Sequence, residues 1–344
     1  MPETQWPAEV RRSASSLRDQ LQQDRRDLCV HYAGGGEARR LLRQHRLLID
    51  RALRILWKEA ALPGSLALAA VGGYGRGELF PHSDVDLLVL LPCEPDAALK
   101  AKLEALIGSL WDNGLEPGHG VRTIDECLFE SAKDITVQTS LLEARWLAGS
   151  RGLFTAFTNA MRAHLDPVDF FQSKRLEQEQ RHGKYQESPY NLEPNLKEAP
   201  GGLRDLQAIL WISRSAGLGE NWMQLAAREL ITPVEARQAA CYQKFLNELR
   251  IRLHYLAGRR EDRILFDYQA GLAAQLGFVD TPSKRASEQM MQRYYRTAKA
   301  ITQLNTLLLQ NIGVQLLSGE DSPPEILNER FQATHELLEV REPD

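Results

Sequence analysis

The sequence predicts an α+β fold: a small mixed sheet with flanking helices, followed by an all-α helical region. Three observations point to it. Two apolar runs of strand length, Leu66–Val71 and Leu87–Leu91, are separated by a glycine-rich turn. Apolar residues at helical spacing flank them, from Leu41 to Leu56 before and from Leu99 to Trp111 after. Beyond Gly149 the strand signals stop, and from about Asp166 the chain is charged and helical in pattern, with prolines only at breaks.

Taken in order, residues 8–61 read as two helices. Arg11–Cys29 is highly charged, and Gly34-Gly35-Gly36 marks the break between the two. The second carries Leu41, Leu42, Leu47, Leu48, Ile49, Leu53, Ile55 and Leu56, a broad apolar face for packing on the sheet. Ala61-Leu62-Pro63-Gly64-Ser65 ends it, so residues 1–62 are assigned to N-terminal helices that pack on a core at 63–150. After the second strand a Glu94-Pro95-Asp96 turn starts a helix that stops at Gly114. A short strand follows at 115–122. Thr123 and Glu126 then have the spacing of a capping box, and a helix at about 136–147 is terminated by Gly149. Residues 165–344 form the helical domain. Within it, Pro200-Gly201-Gly202 is a sharp loop, and Leu203-Arg204-Asp205 opens a helix with Leu206, Ile209, Leu210 and Ile212 on its apolar face.

Composition excludes several classes. Hydrophobic residues at 43% and charged residues at 26% are ordinary for a soluble globular protein. A formal charge of −4 gives no basic footprint for nucleic acid. Cys29, Cys93, Cys127 and Cys241 are scattered without a Cys-x-x-Cys pair, so neither a zinc site nor a disulfide framework is indicated. No signal pattern opens the chain and no apolar run reaches the ~20 residues of a membrane span. The expectation is a cytoplasmic protein.

The chemistry concentrates in Val71–Leu91, VGGYGRGELFPHSDVDLLVLL. Asp84 and Asp86 enter the second strand two residues apart, so both carboxylates project from one face. Such a pair at the mouth of a buried strand calls for a neutralising cation. Mg²⁺ suits it, being held by one or two carboxylates plus substrate phosphates, with Mn²⁺ as the alternative. Gly72 and Gly73 upstream let backbone N–H groups approach phosphate closely. The reaction this suggests is nucleotidyl transfer.

Strand, Gly-Gly, eleven residues from Gly73 to Asp84, Asp-x-Asp, strand: this arrangement resembles the signature of the DNA polymerase β-like nucleotidyltransferase superfamily. Gly73-Tyr74-Gly75-Arg76-Gly77-Glu78-Leu79, Pro81 and Ser83-Asp84-Val85-Asp86-Leu87-Leu88 narrow it. They look like the bacterial uridylyltransferases that modify the PII nitrogen-signalling protein. Trp111-Asp112, Gly114-Leu115, Gly118-His119 and Val121-Arg122-Thr123 match as well, as does the stretch from Asn191 to Gln207, with Ala199 where the family more usually has glycine. Leu253–Arg263 and Arg293–Lys299 extend the resemblance along the chain.

The resemblance implies a nucleotidyltransferase core at 63–150, with Asp84 and Asp86 as catalytic metal ligands. It implies a triphosphate held by Gly72, Gly73, Tyr74, Gly75, Arg76 and Ser83, and by Lys197, Gly201, Gly202 and Arg204. A third carboxylate is expected on a neighbouring strand, for which Glu116 and Asp125 are the candidates; His119, Arg122 and Asp205 are further site candidates. Asp125 read alone is a first-turn helix acid, His119 a packed strand histidine, and the 200–202 loop an interdomain turn with a surface ion pair. Arg259 and Arg260, with Arg263, are either nucleotide contacts, a surface for the protein substrate, or a solvated face.

UTP as donor, a PII tyrosine as acceptor, and no nucleic-acid or membrane partner are the expectation. Adenylylation of another protein, such as glutamine synthetase, and a non-catalytic module that binds nucleotide or PII remain the alternatives. The family's metal-dependent HD hydrolase and paired ACT domains are expected to be absent, since none of the eight histidines precedes an aspartate and the chain ends at Asp344. Uridylyl-removing activity and direct glutamine control are therefore not expected.

Overall fold

A computed structural model describes residues 16–185 and 191–317, with short pieces at 325–326, 330–334 and 337–340. In chain order the elements are α1 (Leu17–Ala33), α2 (Ala38–Glu59), β1 (Ala67–Ala70), α3 (Gly72–Arg76), β2 (Val85–Leu91), α4 (Ala97–Asp112), β3 (Pro117–Thr123), α5 (Ile124–Lys133), α6 (Ile135–Leu142) and β4 (Arg145–Gly149). They continue as α7 (Arg151–His164), α8 (Pro167–Lys184), α9 (Leu203–Ser215), α10 (Trp222–Ala227), α11 (Pro233–Ala257), α12 (Phe266–Gln275), α13 (Ala286–Leu317), β5 (Glu325–Ile326), β6 (Phe331–Thr334) and β7 (Leu337–Val340).

The chain divides into two compact units. The first contains the described residues up to Leu79, Ser83–Ile124 and Glu143–Thr155. Its sheet runs β3-β2-β1-β4, with β2 and β3 parallel and β1 antiparallel to both neighbours. Strand alternation sends Leu66, Leu68 and Ala70, with Val85, Leu87, Val89 and Leu91, into one apolar core. Leu53 and Leu56 of α2 and Leu103, Leu106 and Leu110 of α4 close that core. Asp96 caps α4 by accepting from Leu99 N–H at 2.7 Å, and Gly114, at φ +71°, follows its end.

The second unit is helical: Phe80–His82, Asp125–Leu142 and the described residues from Ala156 onward. A short antiparallel sheet, β5-β6-β7, lies near the C-terminus where the sequence pattern continues as helix.

Two expectations are corrected. The helix at 136–147 ends at Leu142, and Arg145–Gly149 is strand β4, paired antiparallel with β1. Local pattern favours helix there, whereas the free edge of β1 recruits the segment by long-range pairing. Gly149 fits because a Cβ on it would stand 2.2 Å from the Leu66 carbonyl oxygen. The glycine turn after β1 is not an open loop but the five-residue helix α3. The first helix runs from Leu17 to Ala33 and stops at the expected Gly34 break, and residues 11–15 of that charged stretch lie outside the described residues.

Candidate active site

Asp84 and Asp86 bracket Val85, the first residue of β2, and both are half-buried. Their backbone is fixed from both sides. Val85 N–H donates to Glu116 O at 2.9 Å, and Val71 N–H donates to Asp86 O at 3.0 Å. The second bond ties the start of α3 to Asp86. In the parallel β2–β3 register Asp86 lies opposite Gly118. A Cβ on Gly118 would stand 2.5 Å from Asp86 Oδ1, so the absent side chain is what leaves the carboxylate its place.

These residues fit a divalent cation. The donors are hard carboxylate oxygens on one strand face, and the Gly118 cradle keeps one of them seated. Among the described residues no three His, Cys, Asp or Glu side chains gather into a metal-holding group. A two-carboxylate site completed by substrate phosphate is the form this donor set supports.

The α3 turn is held by side chains that sequence reading had assigned to nucleotide. Gly72 at φ +56° and Gly77 at φ +90° admit the tight turn at its two ends. The Tyr74 ring is buried, and its hydroxyl donates to Asp50 Oδ1 at 2.6 Å. Arg145 donates to the same carboxylate at 2.8 and 3.0 Å and to the carbonyls of Gly75 and Tyr74. Burial and the neighbouring Asp50 carboxylate hold the Tyr74 hydroxyl in its neutral form. Arg76 pairs with Glu78 at 2.8 Å and with Glu143. Burial opposes its charge, but the two carboxylates outweigh that and hold the guanidinium above its ordinary value. Gly75 is glycine because a Cβ would stand 2.3 Å from Glu143 O. The side chains of Tyr74 and Arg76 therefore build the turn, while Ser83 is half-buried beside Asp84.

On β3 the register separates the candidates. His119 lies opposite Leu87, on the core-side alternation, and is exposed at the strand edge. Gly118, Gly120 and Arg122 share the other face with Asp86, by alternation along paired strands. The Arg122 guanidinium carbon lies 3.8 Å from where a Gly120 Cβ would stand, so the cation folds back along that face. Glu116 is exposed just before β3, and its charge is felt by Arg25 of α1, whose burial lowers its affinity for a proton. Asp125 is an exposed acid in the first turn of α5.

In the helical unit the 191–207 segment closes on itself. Gly201 N–H donates to Asp205 Oδ2 at 2.7 Å and Gly202 N–H to Ala199 O at 2.8 Å. Leu203 and Arg204 N–H donate to Leu196 O and Lys197 O, each at 2.9 Å. The expectation that this loop offers backbone donors to an anion is thus corrected, because all four are taken internally. Gly201, at φ +76°, packs on α13, where a Cβ would meet Ala298 O at 2.2 Å.

Asp205 is fully buried and accepts from Arg181 at 2.7 Å and from His182 at 3.0 Å. Burial raises its proton affinity, yet His182 and Arg181 hold the carboxyl below its ordinary range. It is a scaffold hub. Lys197 and Arg204 both pair with Glu198, at 3.4 and 3.1 Å. Burial, then the adjacent Arg204 charge, lowers the Lys197 pKa. Arg259 is exposed and pairs with Glu261 at 2.7 Å; Arg260 is exposed beside it.

Sequence reading missed Asp50, Glu143 and Arg145, and in the helical unit Arg181, His182 and Glu198. None has a local signal: Arg145 meets Asp50 across 95 positions. It missed too that Phe80–His82, immediately before Ser83, belong to the helical unit. His254 Nδ1 pairs with Pro81 O, and Arg250 stacks over Phe80 at 4.1 Å while donating to Asp262 at 2.6 Å.

Comparison with known proteins supports the same chemistry. The family model described as nucleotidyltransferase domain matches residues 50–140, and the one described as GlnD PII-uridylyltransferase matches residues 169–309. A bifunctional uridylyltransferase/uridylyl-removing enzyme of Aromatoleum aromaticum is 52% identical over 98% of this chain and 39% of its own length. Enzymes of the same name are 49% identical in Ralstonia nicotianae, over 96% of this chain and 38% of theirs, and 54% identical in Bordetella pertussis, over 87% and 35%. The chain spans about two-fifths of the length of these relatives. No helix among the described residues is long and apolar enough to cross a membrane.

Proposed function

From a chain that belongs to the nucleotidyltransferases and matches the PII-uridylyltransferase family over its helical part, we propose Mg²⁺-dependent transfer of UMP from UTP to a tyrosine hydroxyl of PII, with release of pyrophosphate. One observation carries the reading: Asp84 and Asp86 flank Val85 at the mouth of β2, with Gly118 opposite Asp86 making room for its carboxylate.

Asp84 and Asp86 are the residues that hold Mg²⁺, or Mn²⁺ in its place, which neutralises triphosphate charge when bound. The chain's own part is positioning. The glycines at 72 and 73 leave the backbone of α3 open to close approach by phosphate, while the Gly75 N–H is taken by Val71 O at 2.9 Å. The Tyr74–Asp50–Arg145 and Arg76–Glu143 networks keep that turn in one conformation before substrate arrives. Arg122 adds a cation on the Asp86 face, suited to charge that builds on the leaving pyrophosphate. In-line attack by the tyrosine oxygen on the α-phosphorus forms the new P–O bond and breaks the bond to pyrophosphate.

The test is label transfer from α-labelled UTP to purified PII with Mg²⁺, with ATP in parallel. Labelled PII from UTP alone supports the proposal. Label only from ATP makes the chain an adenylyltransferase, since the carboxylates and the glycine turn select metal and phosphate rather than base. Nucleotide binding without transfer favours a sensing module.

A further inference from the structure

The helical unit contains a second hollow, built by α11, the α12–α13 connection and α13. Its volume is about 510 Å³, within the range of small-molecule sites. Three cations line it, Lys284, Arg293 and Arg296, and no lining residue is acidic. Among the described residues none of the three takes part in an ion pair. The acids nearest in sequence serve the backbone instead: Asp280 accepts from Ala286 N–H at 2.7 Å and Glu288 from Arg285 N–H at 3.3 Å.

Two of the cations are also held by neutral partners. Arg293 stacks over Phe245 at 4.3 Å, and Lys284 Nζ donates to Gln292 Oε1 at 3.2 Å. Like charges three apart on a helix, such as Arg293 and Arg296, destabilise it slightly. All three side chains are exposed, so solvent screens their mutual repulsion, and an anion seated among them would add charge-assisted contacts. The remaining lining includes the half-buried rings of Tyr242 and Phe278, which offer flat apolar faces beside the charges.

We propose that this hollow binds a phosphorylated small molecule with a planar ring, a nucleotide or a similar phosphate ester. Its phosphates sit among Lys284, Arg293 and Arg296, and its ring lies against Tyr242 or Phe278. The site is independent of the transfer reaction.

The experiment is isothermal titration of the whole chain with inorganic tripolyphosphate, and separately with ATP, in metal-free buffer of fixed low ionic strength. Arg293→Gln/Arg296→Gln is compared with Arg39→Gln/Arg43→Gln, an equal charge loss on exposed positions of α2. Circular-dichroism melts check that each variant is folded. The expected result is saturable binding of both probes, with ATP tighter than tripolyphosphate. The α13 double variant weakens it about tenfold or more, as loss of charge-assisted contacts to phosphate requires. The α2 variant changes it less than about twofold. Lack of saturable binding, or equal losses in both double variants, overturns the site. Full retention of binding in the α13 double variant overturns it as well, because the affinity then lies elsewhere in the chain.

Discussion

Asp86 Oδ1 lies 2.5 Å from the position a Cβ would take on Gly118, directly across the parallel β2–β3 pair. No real side chain tolerates that approach, so one methyl group at 118 must displace the carboxylate or the strand. Gly118→Ala is expected to lower kcat about 100-fold, the scale of a 1 Å misplacement, and to weaken Mn²⁺ binding read by titration. Gly120→Ala is the control, since its Cβ would meet Leu88 at an ordinary 3.7 Å. Equal activity of the two variants would sink the positioning role of Gly118.

Asp84→Asn and Asp86→Asn remove charge while keeping shape. Each is expected to reduce kcat about 10³-fold, with a much smaller change in the KM for UTP. Initial rates at saturating and limiting UTP separate the two parameters. Near-normal turnover in a folded Asp86 variant contradicts its assignment as a metal ligand.

Tyr74 is scaffold by its geometry, because its hydroxyl is committed to Asp50 inside the core. Tyr74→Phe should cost about 1.5 kcal/mol in urea unfolding, the scale of one hydrogen bond to a charged acceptor. Transfer rate should stay close to that of the parent. Asp50→Ala strands both the tyrosine hydroxyl and the partly exposed Arg145 and should cost more, about 3 kcal/mol. A fall in kcat for Tyr74→Phe without loss of stability would return Tyr74 to the list of substrate contacts.

Acid should unfold the helical unit through two carboxylates. Despite burial, Asp205 is held below its ordinary range by His182 and Arg181, and Asp262 by His254 and Arg250. A carboxyl whose folded value is depressed stabilises the fold fully above its unfolded value. That contribution is lost as pH falls below about 4, through the folded value. Melting temperature followed from pH 7 to pH 3 should drop steeply at the acid end. Asp205→Asn should be less stable at pH 7 and should flatten the acid limb.

The sequence by itself determined the parts whose causes are local. Two apolar runs of strand length, a glycine turn and an Asp-x-Asp pair fix β1, β2 and the face on which Asp84 and Asp86 stand, because strand alternation needs only near neighbours. The helical character of the second region, and the helix opening at Leu203, follow equally from spacing and a glycine break. What only the tertiary structure decided depends on residues far apart in the chain. Strand β4 exists because β1 has an edge to pair with, although Arg145–Gly149 reads locally as helix. Tyr74 and Arg76 turn from substrate to scaffold because Asp50 and Glu143 arrive from distant elements. The 200–204 loop loses its anion-binding donors because Leu196, Lys197, Ala199 and Asp205 take them. Periodicity tells a residue which face it occupies; only the folded chain decides what waits on that face, since desolvation and pairing are set by contacts that sequence distance does not encode.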